Sequence, residues 1–166
     1  MSSSKTVHLS KYAQRKYGVS PQTSVDLEVG VNFSYALLAI AGADGELSAE
    51  ELQWYLDEQE MMSVPSEAVD EYITTLRNFD WKNANIEELL GGIKYDFPVN
   101  FRCSMLYQAI KISRADGYYH EKERAAVAKA AAILGIEPSV VVSLESVAEM
   151  EETADRLRIA LFETQG

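Results

Sequence analysis

Residues 41–52 read AGADGELSAEEL, and residues 113–124 read SRADGYYHEKER. In each stretch an Asp-Gly pair cuts an apolar, helix-periodic run, and a glutamate follows inside a new one. Before the first break, Leu27, Val31, Tyr35, Leu38 and Ala41 recur at helical spacing. After it, Ser48 with Glu51 three residues on has the pattern of a capping box, in which each residue's side chain accepts from the other's backbone N–H. Leu52, Tyr55, Leu56 and Met62 then carry a second helix to about residue 62. Around the second break, Phe101, Met105, Ala109 and Ile112 share one face, and a helix from about Glu121 to Leu134 ends at Gly135, where a left-handed cap suits glycine. A shift of 72 positions superimposes Ile40 on Ile112, Asp44 on Asp116, Gly45 on Gly117, Glu51 on Glu123 and Met62 on Leu134. Two hairpins of this kind can pack face to face about an approximate two-fold axis, each burying the apolar face the other leaves open.

The rest of the chain fits around this pair. Thr23-Ser24 precedes the first helix. Pro65 suits the first turn of a helix bearing Val69, Tyr72, Ile73 and Leu76, and residues 78–85 are polar and turn-like. Asn85 caps IEELLGGI, Pro98 opens the run before the second break, and Pro138 starts a last segment of about 25 residues in which Leu157 and Leu161 keep the period. The β-like SVVVS lies in helical surroundings, so no strand is expected. The reading is an all-α protein: a compact bundle of about seven helices built on two pseudo-symmetric helical hairpins. Residues 21–166 form the single domain, and residues 1–20, Ser-rich and basic, form a flexible or docking arm.

Composition narrows the function. The 166 residues hold 26 Asp and Glu against 15 Lys and Arg, a net charge of −11. Lys5, Lys11, Arg15 and Lys16 all precede the first acid, Asp26, so the domain itself is more acidic still. Such a field repels nucleic-acid backbones and anionic lipid, and suits cations or a basic partner surface. The most apolar stretch, residues 29–43, is broken by Asn32 and Ser34 and is shorter than the roughly 20 residues of a membrane span. A lone cysteine, Cys103, fits a reducing compartment and a small apolar role.

Three readings of the Asp-Gly loops compete. Setting Gly45 at position 6 of a calcium-binding EF-hand loop puts Asp44, Ser48 and Glu51 at ligand positions 5, 9 and 12. The first ligands, however, would be Ile40 and Gly42, and in the second copy Ile112 and Arg114. Neither stretch closes an EF-hand alone. The loops can instead be helix caps and nothing more, with His120 replacing Ser48 in the second. Or Asp44 and Glu51 meet Asp116 and Glu123 across the bundle. Four carboxylates that close repel one another, and a hard divalent cation such as calcium relieves them, with His120 able to favour zinc.

Signs of an enzyme are few. The two histidines, His8 and His120, lie in no catalytic motif, there is no HExxH, and there is no glycine-rich phosphate loop. Trp54 and Trp81 read as core or rim aromatics, and AAVAKAAAI as close helix packing.

The doubled pattern LLAIAGADGELSAEEL and AIKISRADGYYHEKER, the latter followed by AAAILGI, resembles the TerB tellurite-resistance family and the related TerB-like domain. The resemblance implies a cytoplasmic, acidic helical bundle that serves in resistance to tellurite and other chemical stress in concert with a membrane partner of the TerC type. It also implies a metal site at the acidic loops, which falls here on Asp44, Glu51, Asp116 and Glu123. The second loop departs from the first by carrying Tyr118, Tyr119 and His120 where the first has Glu46, Leu47 and Ser48.

Overall fold

The described residues form eight α-helices, seven of them along the apolar periodicities of the sequence. The computed structural model describes residues 5–43, 47–115, 117 and 119–163, with the side chains of residues 92–96 set aside. Along the chain come β1 (Thr6–His8), α1 (Lys11–Tyr17), β2 (Ser24–Asp26), α2 (Leu27–Ala41), α3 (Ala49–Met62), α4 (Glu67–Arg77), a single 3-10 turn (Trp81–Asn83), α5 (Ile86–Asp96), α6 (Val99–Ser113), α7 (Glu121–Leu134) and α8 (Pro138–Phe162). Helices α6 and α7 begin and end 72 residues after α2 and α3.

Helices α2 and α6 pack against each other at the centre, and residues 36–41 and 105–113 are buried on every side. Each hairpin lays its second helix on the first helix of the other: α3 on α6, and α7 on α2. Outside these, α4 covers α2 and α3, as α8 covers α6 and α7, and α1 lies on α3 as α5 lies on α7. The hairpins are thus pseudo-symmetric partners in one core, and every large side chain sealed there, such as Leu38, Ile40, Ile110 or Ile112, contributes about 1.5–3 kcal/mol by leaving water.

One polar chain crosses this core. Ser34 Oγ of α2 lies 2.7 Å from the Tyr55 hydroxyl of α3 and also bonds the Tyr72 hydroxyl of α4. Tyr72 donates to Gln59 Oε1 at 2.9 Å, and Gln59 Nε2 donates to Gln108 Oε1 of α6 at 3.0 Å. Burial pushes the Tyr72 phenol up to about 12 and Tyr55 well above its usual value, so the chain stays uncharged at neutral pH. Its bonds tie four helices in one register at no cost in buried charge.

Three expectations change. The basic segment, expected as an arm outside the domain, is part of its packing. β1 pairs antiparallel with β2 through Thr6–Asp26, Val7–Val25 and His8–Ser24, and Val7 and Ala13 are buried. Its cations meet acids of the bundle: Lys5 pairs with Glu71, and Lys16 Nζ lies 3.2 Å from Glu58, which also accepts the Tyr12 hydroxyl at 2.5 Å. The eighth helix is therefore α1, too short to show a period but closed by Gly18 in the left-handed region at φ 66°. Second, a two-stranded sheet exists where no strand is expected, and because residues 24–26 are extended in β2, Asp26 caps α2. Third, Pro65 lies before its helix, and Ser66 makes the cap, accepting from Val69 N at 3.2 Å. The caps expected at Asn85 and Gly135 are present, with Asn85 Oδ1 accepting from Glu88 N at 3.1 Å and Gly135 at φ 73°. SVVVS is helical, within α8.

Gly42, at the end of α2, lies under the indole of Trp81: a Cβ there would stand 2.4 Å from Trp81 Cε3. Gly91, inside α5, has nothing within 4 Å of the same position. Gly42→Ala should therefore lower stability by about 1–3 kcal/mol through overpacking. Gly91→Ala should raise it by about 0.5–1 kcal/mol by removing backbone freedom from the unfolded chain. Urea unfolding of the two variants checks the opposite signs.

Candidate metal centre

The start of α3 is a complete capping box. Ser48 Oγ accepts from Glu51 N at 3.0 Å, and Glu51 Oε1 accepts from Ser48 N at 2.8 Å. At the start of α7, Glu123 Oε1 accepts from His120 N at 3.2 Å. Both glutamates sit in the third position of their helices, where a negative charge also meets the positive end of the helix dipole. Burial sets them apart from ordinary surface caps: Glu51 is 4% exposed and Glu123 1%.

Of the four residues expected at a shared site, the structure places these two. Asp44 and Asp116 lie outside the described residues, as do Gly45, Glu46 and Tyr118. Among the described residues no group of three or more His, Cys, Asp and Glu side chains is arranged around a common point. The donor type, not the geometry, is what the two placed residues share with a hard-cation site. Carboxylate oxygens are the donors that calcium and magnesium take.

The second loop is bracketed by charged residues. In it, Gly117 takes the left-handed region at φ 84°, giving the reversal expected of an Asp-Gly break. Two guanidinium groups then lie over the ring of Tyr119, Arg114 at 5.5 Å and Arg124 at 4.7 Å from its centre. Arg114 makes a two-toothed pair with Glu152 of α8, at 2.7 and 3.1 Å, and Arg124 reaches Glu145 of α8 at 3.5 Å. Burial, next to the Glu145 carboxylate, pushes the Tyr119 phenol up, so it stays protonated. α8 thereby clamps the second loop through two arginines. Sequence reasoning missed this clamp. Its only visible sign was that arginines bracket the motif at 114 and 124, while their acidic partners sit 38 and 21 residues away.

Trp81 is half-buried against Gly42, and Trp54 packs at the rim of the core, as aromatics of those types were expected to do. Cys103 is half-buried against the core. Among the described residues no helix is long and apolar enough to cross a membrane.

Comparison with known proteins agrees with this arrangement. A search of curated proteins returns no match. Among solved structures, a tellurite resistance protein from Nostoc punctiforme PCC 73102 superimposes with a TM-score of 0.70 at 25% identity, over 95% of this chain and 99% of that one. The family profile described as tellurite resistance protein TerB matches residues 31–146, which run from the second turn of α2, through both Asp-Gly loops, into α8. The chain belongs to the TerB family of tellurite resistance proteins.

Proposed function

We propose that this TerB domain is a non-enzymatic, cation-binding helical module of the cytoplasm that serves in resistance to tellurite and other chemical stress through protein partners. The observation that supports it best is the pair Glu51 and Glu123, two buried carboxylates at matched helix starts directly after the two Asp-Gly breaks. With Asp44 and Asp116 they make four carboxylates whose oxygens can share one divalent ion, calcium being the best fit to a carboxylate set. The net charge of −11 favours cations and a basic partner surface, and family resemblance makes a TerC-type membrane protein the natural candidate.

Chemistry argues for an indirect part in resistance. Tellurite is an oxyanion and is repelled by this field, and one cysteine, half-buried, supplies no dithiol to reduce it. His8 is exposed on β1, and His120 stands at the start of α7; neither occupies a recognised nucleophile-base motif.

A metal-free adaptor is the second reading, favoured by the cap bonds at both helix starts, which need no ion. Thermal melting separates the two. A ligand that binds only the folded state stabilises it by about 2.7 kcal/mol at a hundredfold excess over Kd, which for a domain of this size raises the midpoint by about 5–10 °C. Calcium should produce such a rise, and Asp44→Ala and Asp116→Ala should each abolish it. The absence of any shift with calcium, magnesium or zinc contradicts the cation site and leaves the adaptor. Ser48→Ala should cost about 1 kcal/mol whether or not calcium is present, because it removes a cap and no ligand. Incubated with tellurite and a reductant, the purified protein should give no turnover above the buffer rate; catalytic reduction would contradict the indirect role.

A further inference from the structure

The N-terminal segment folds over one side of the bundle and leaves a pocket of about 70 Å³ beneath it. Val7 and Val25 of the ribbon, Tyr17 of α1, Met62 of α3, Phe33 of α2 and Phe101 of α6 form its walls. Phe97 joins the two phenyl rings, at centroid distances of 5.4 and 5.9 Å. Val25, Phe33, Phe97 and Phe101 are only part-buried, so the pocket reaches solvent. It lies against the first halves of α2 and α6, whereas the Asp-Gly loops follow their C-terminal ends. Its ribbon and α1 walls precede residue 31, where the family match begins.

The polar end of the pocket is Ser104, and the bonds that reach it all run one way. Tyr72 donates to Gln59 Oε1 at 2.9 Å, Gln59 Nε2 to Gln108 Oε1 at 3.0 Å, and Gln108 Nε2 to Ser104 Oγ at 3.2 Å. All four side chains line the pocket. A hydroxyl that accepts still has its own O–H to give, and Ser104 gives it to no acceptor among the described residues. Each bond in such a chain polarises the next, which strengthens the last donor. Gly30 holds the space open. It sits inside α2, where glycine is less stable than alanine. A Cβ there would make ordinary contacts, 3.6 Å from Val25 and 3.8 Å from Tyr72, so no neighbour requires glycine. We propose that the pocket takes the end of a neutral aliphatic carbonyl compound, its oxygen accepting from Ser104 and its chain lying among Val25, Phe33 and Phe101. A carbonyl oxygen is an acceptor that brings no donor of its own to be satisfied in an apolar site. A carboxylate is disfavoured, because the one charged side chain among the described residues that line the pocket is Asp26, and the net charge is −11. The volume is half that of a cavity of about 150 Å³ that binds benzene, so the pocket holds roughly three to five heavy atoms and a longer chain leaves through the open side.

Titration of the isotope-labelled full chain with 2-pentanone, followed by amide NMR, tests this. The side-chain NH₂ signals of Gln59 and Gln108 should shift and saturate in roughly the millimolar range open to so small a ligand. Butanoate, equal in heavy atoms but anionic, should move neither. Ser104→Ala should weaken the ketone about three- to tenfold by removing one hydrogen bond. Gly30→Leu should abolish saturation by filling the space. Gly30→Ala keeps the test open if leucine disturbs α2: it should weaken the ketone about twofold or more, with a melting midpoint unchanged or raised. Shifts that never saturate overturn the proposal, as does butanoate binding as well as the ketone. So does a Ser104→Ala or Gly30→Ala chain that binds the ketone like the wild type.

Discussion

The packing of α2 on α6 is the constraint on which the molecule depends. Each is a 15-residue helix whose C-terminal half is buried on all sides. A helix that is apolar all round cannot face water anywhere, and it must be covered by several neighbours. Here the cover comes in matched pairs: α3 and α7 from the two hairpins, then α4 and α8, then α1 and α5. The loops that leave α2 and α6 therefore inherit matched positions at the ends of the two central helices. Glu51 and Glu123 inherit matched burial at the next helix starts.

Charge is arranged around that apolar centre with a purpose visible only in three dimensions. Cations of the N-terminal segment neutralise acids of α3 and α4, as in Lys16 with Glu58 and Lys5 with Glu71. Lys111, Arg114 and Arg124 neutralise acids of α8. Lys111 and Glu58 are largely buried, so each such pair needs its partner: removing one side of a buried pair leaves an uncompensated charge and costs several kcal/mol, about 3–5 in the strongest cases. The first and last helices are thus fastened by electrostatics as much as by apolar contact, since α8 has only two buried residues in 25. The remaining excess of acid gives the chain its net charge of −11.

Much of this was legible in the sequence because long helices advertise themselves. The 3.6-residue period, the Ser48 and Glu51 cap, Asn85, Gly135 and the 72-residue shift all rest on local patterns and were read correctly. What stayed hidden was short or distant. Three-residue strands have no period to detect, and their pairing joins residues 6–8 to 24–26 across the whole of α1. α1 spans two turns, and its basic composition suggested solvent until its partners on α3 were known. The arginine clamp on the second loop joins positions 38 and 21 apart in the chain, beyond any motif. Of the candidate site, the glutamates could be read and are placed, with a cap bond each that local pattern also foresaw; Asp44 and Asp116 lie outside the described residues.

In the proposed function two half-loops, neither able to hold a cation alone, act as one site. Stoichiometry tests it most directly. Equilibrium dialysis against calcium should find one ion per chain, lost entirely in Asp44→Ala and lost equally in Asp116→Ala. Two independent ions per chain, an ion that survives either substitution, or no bound ion at any calcium concentration that leaves the protein folded would contradict it.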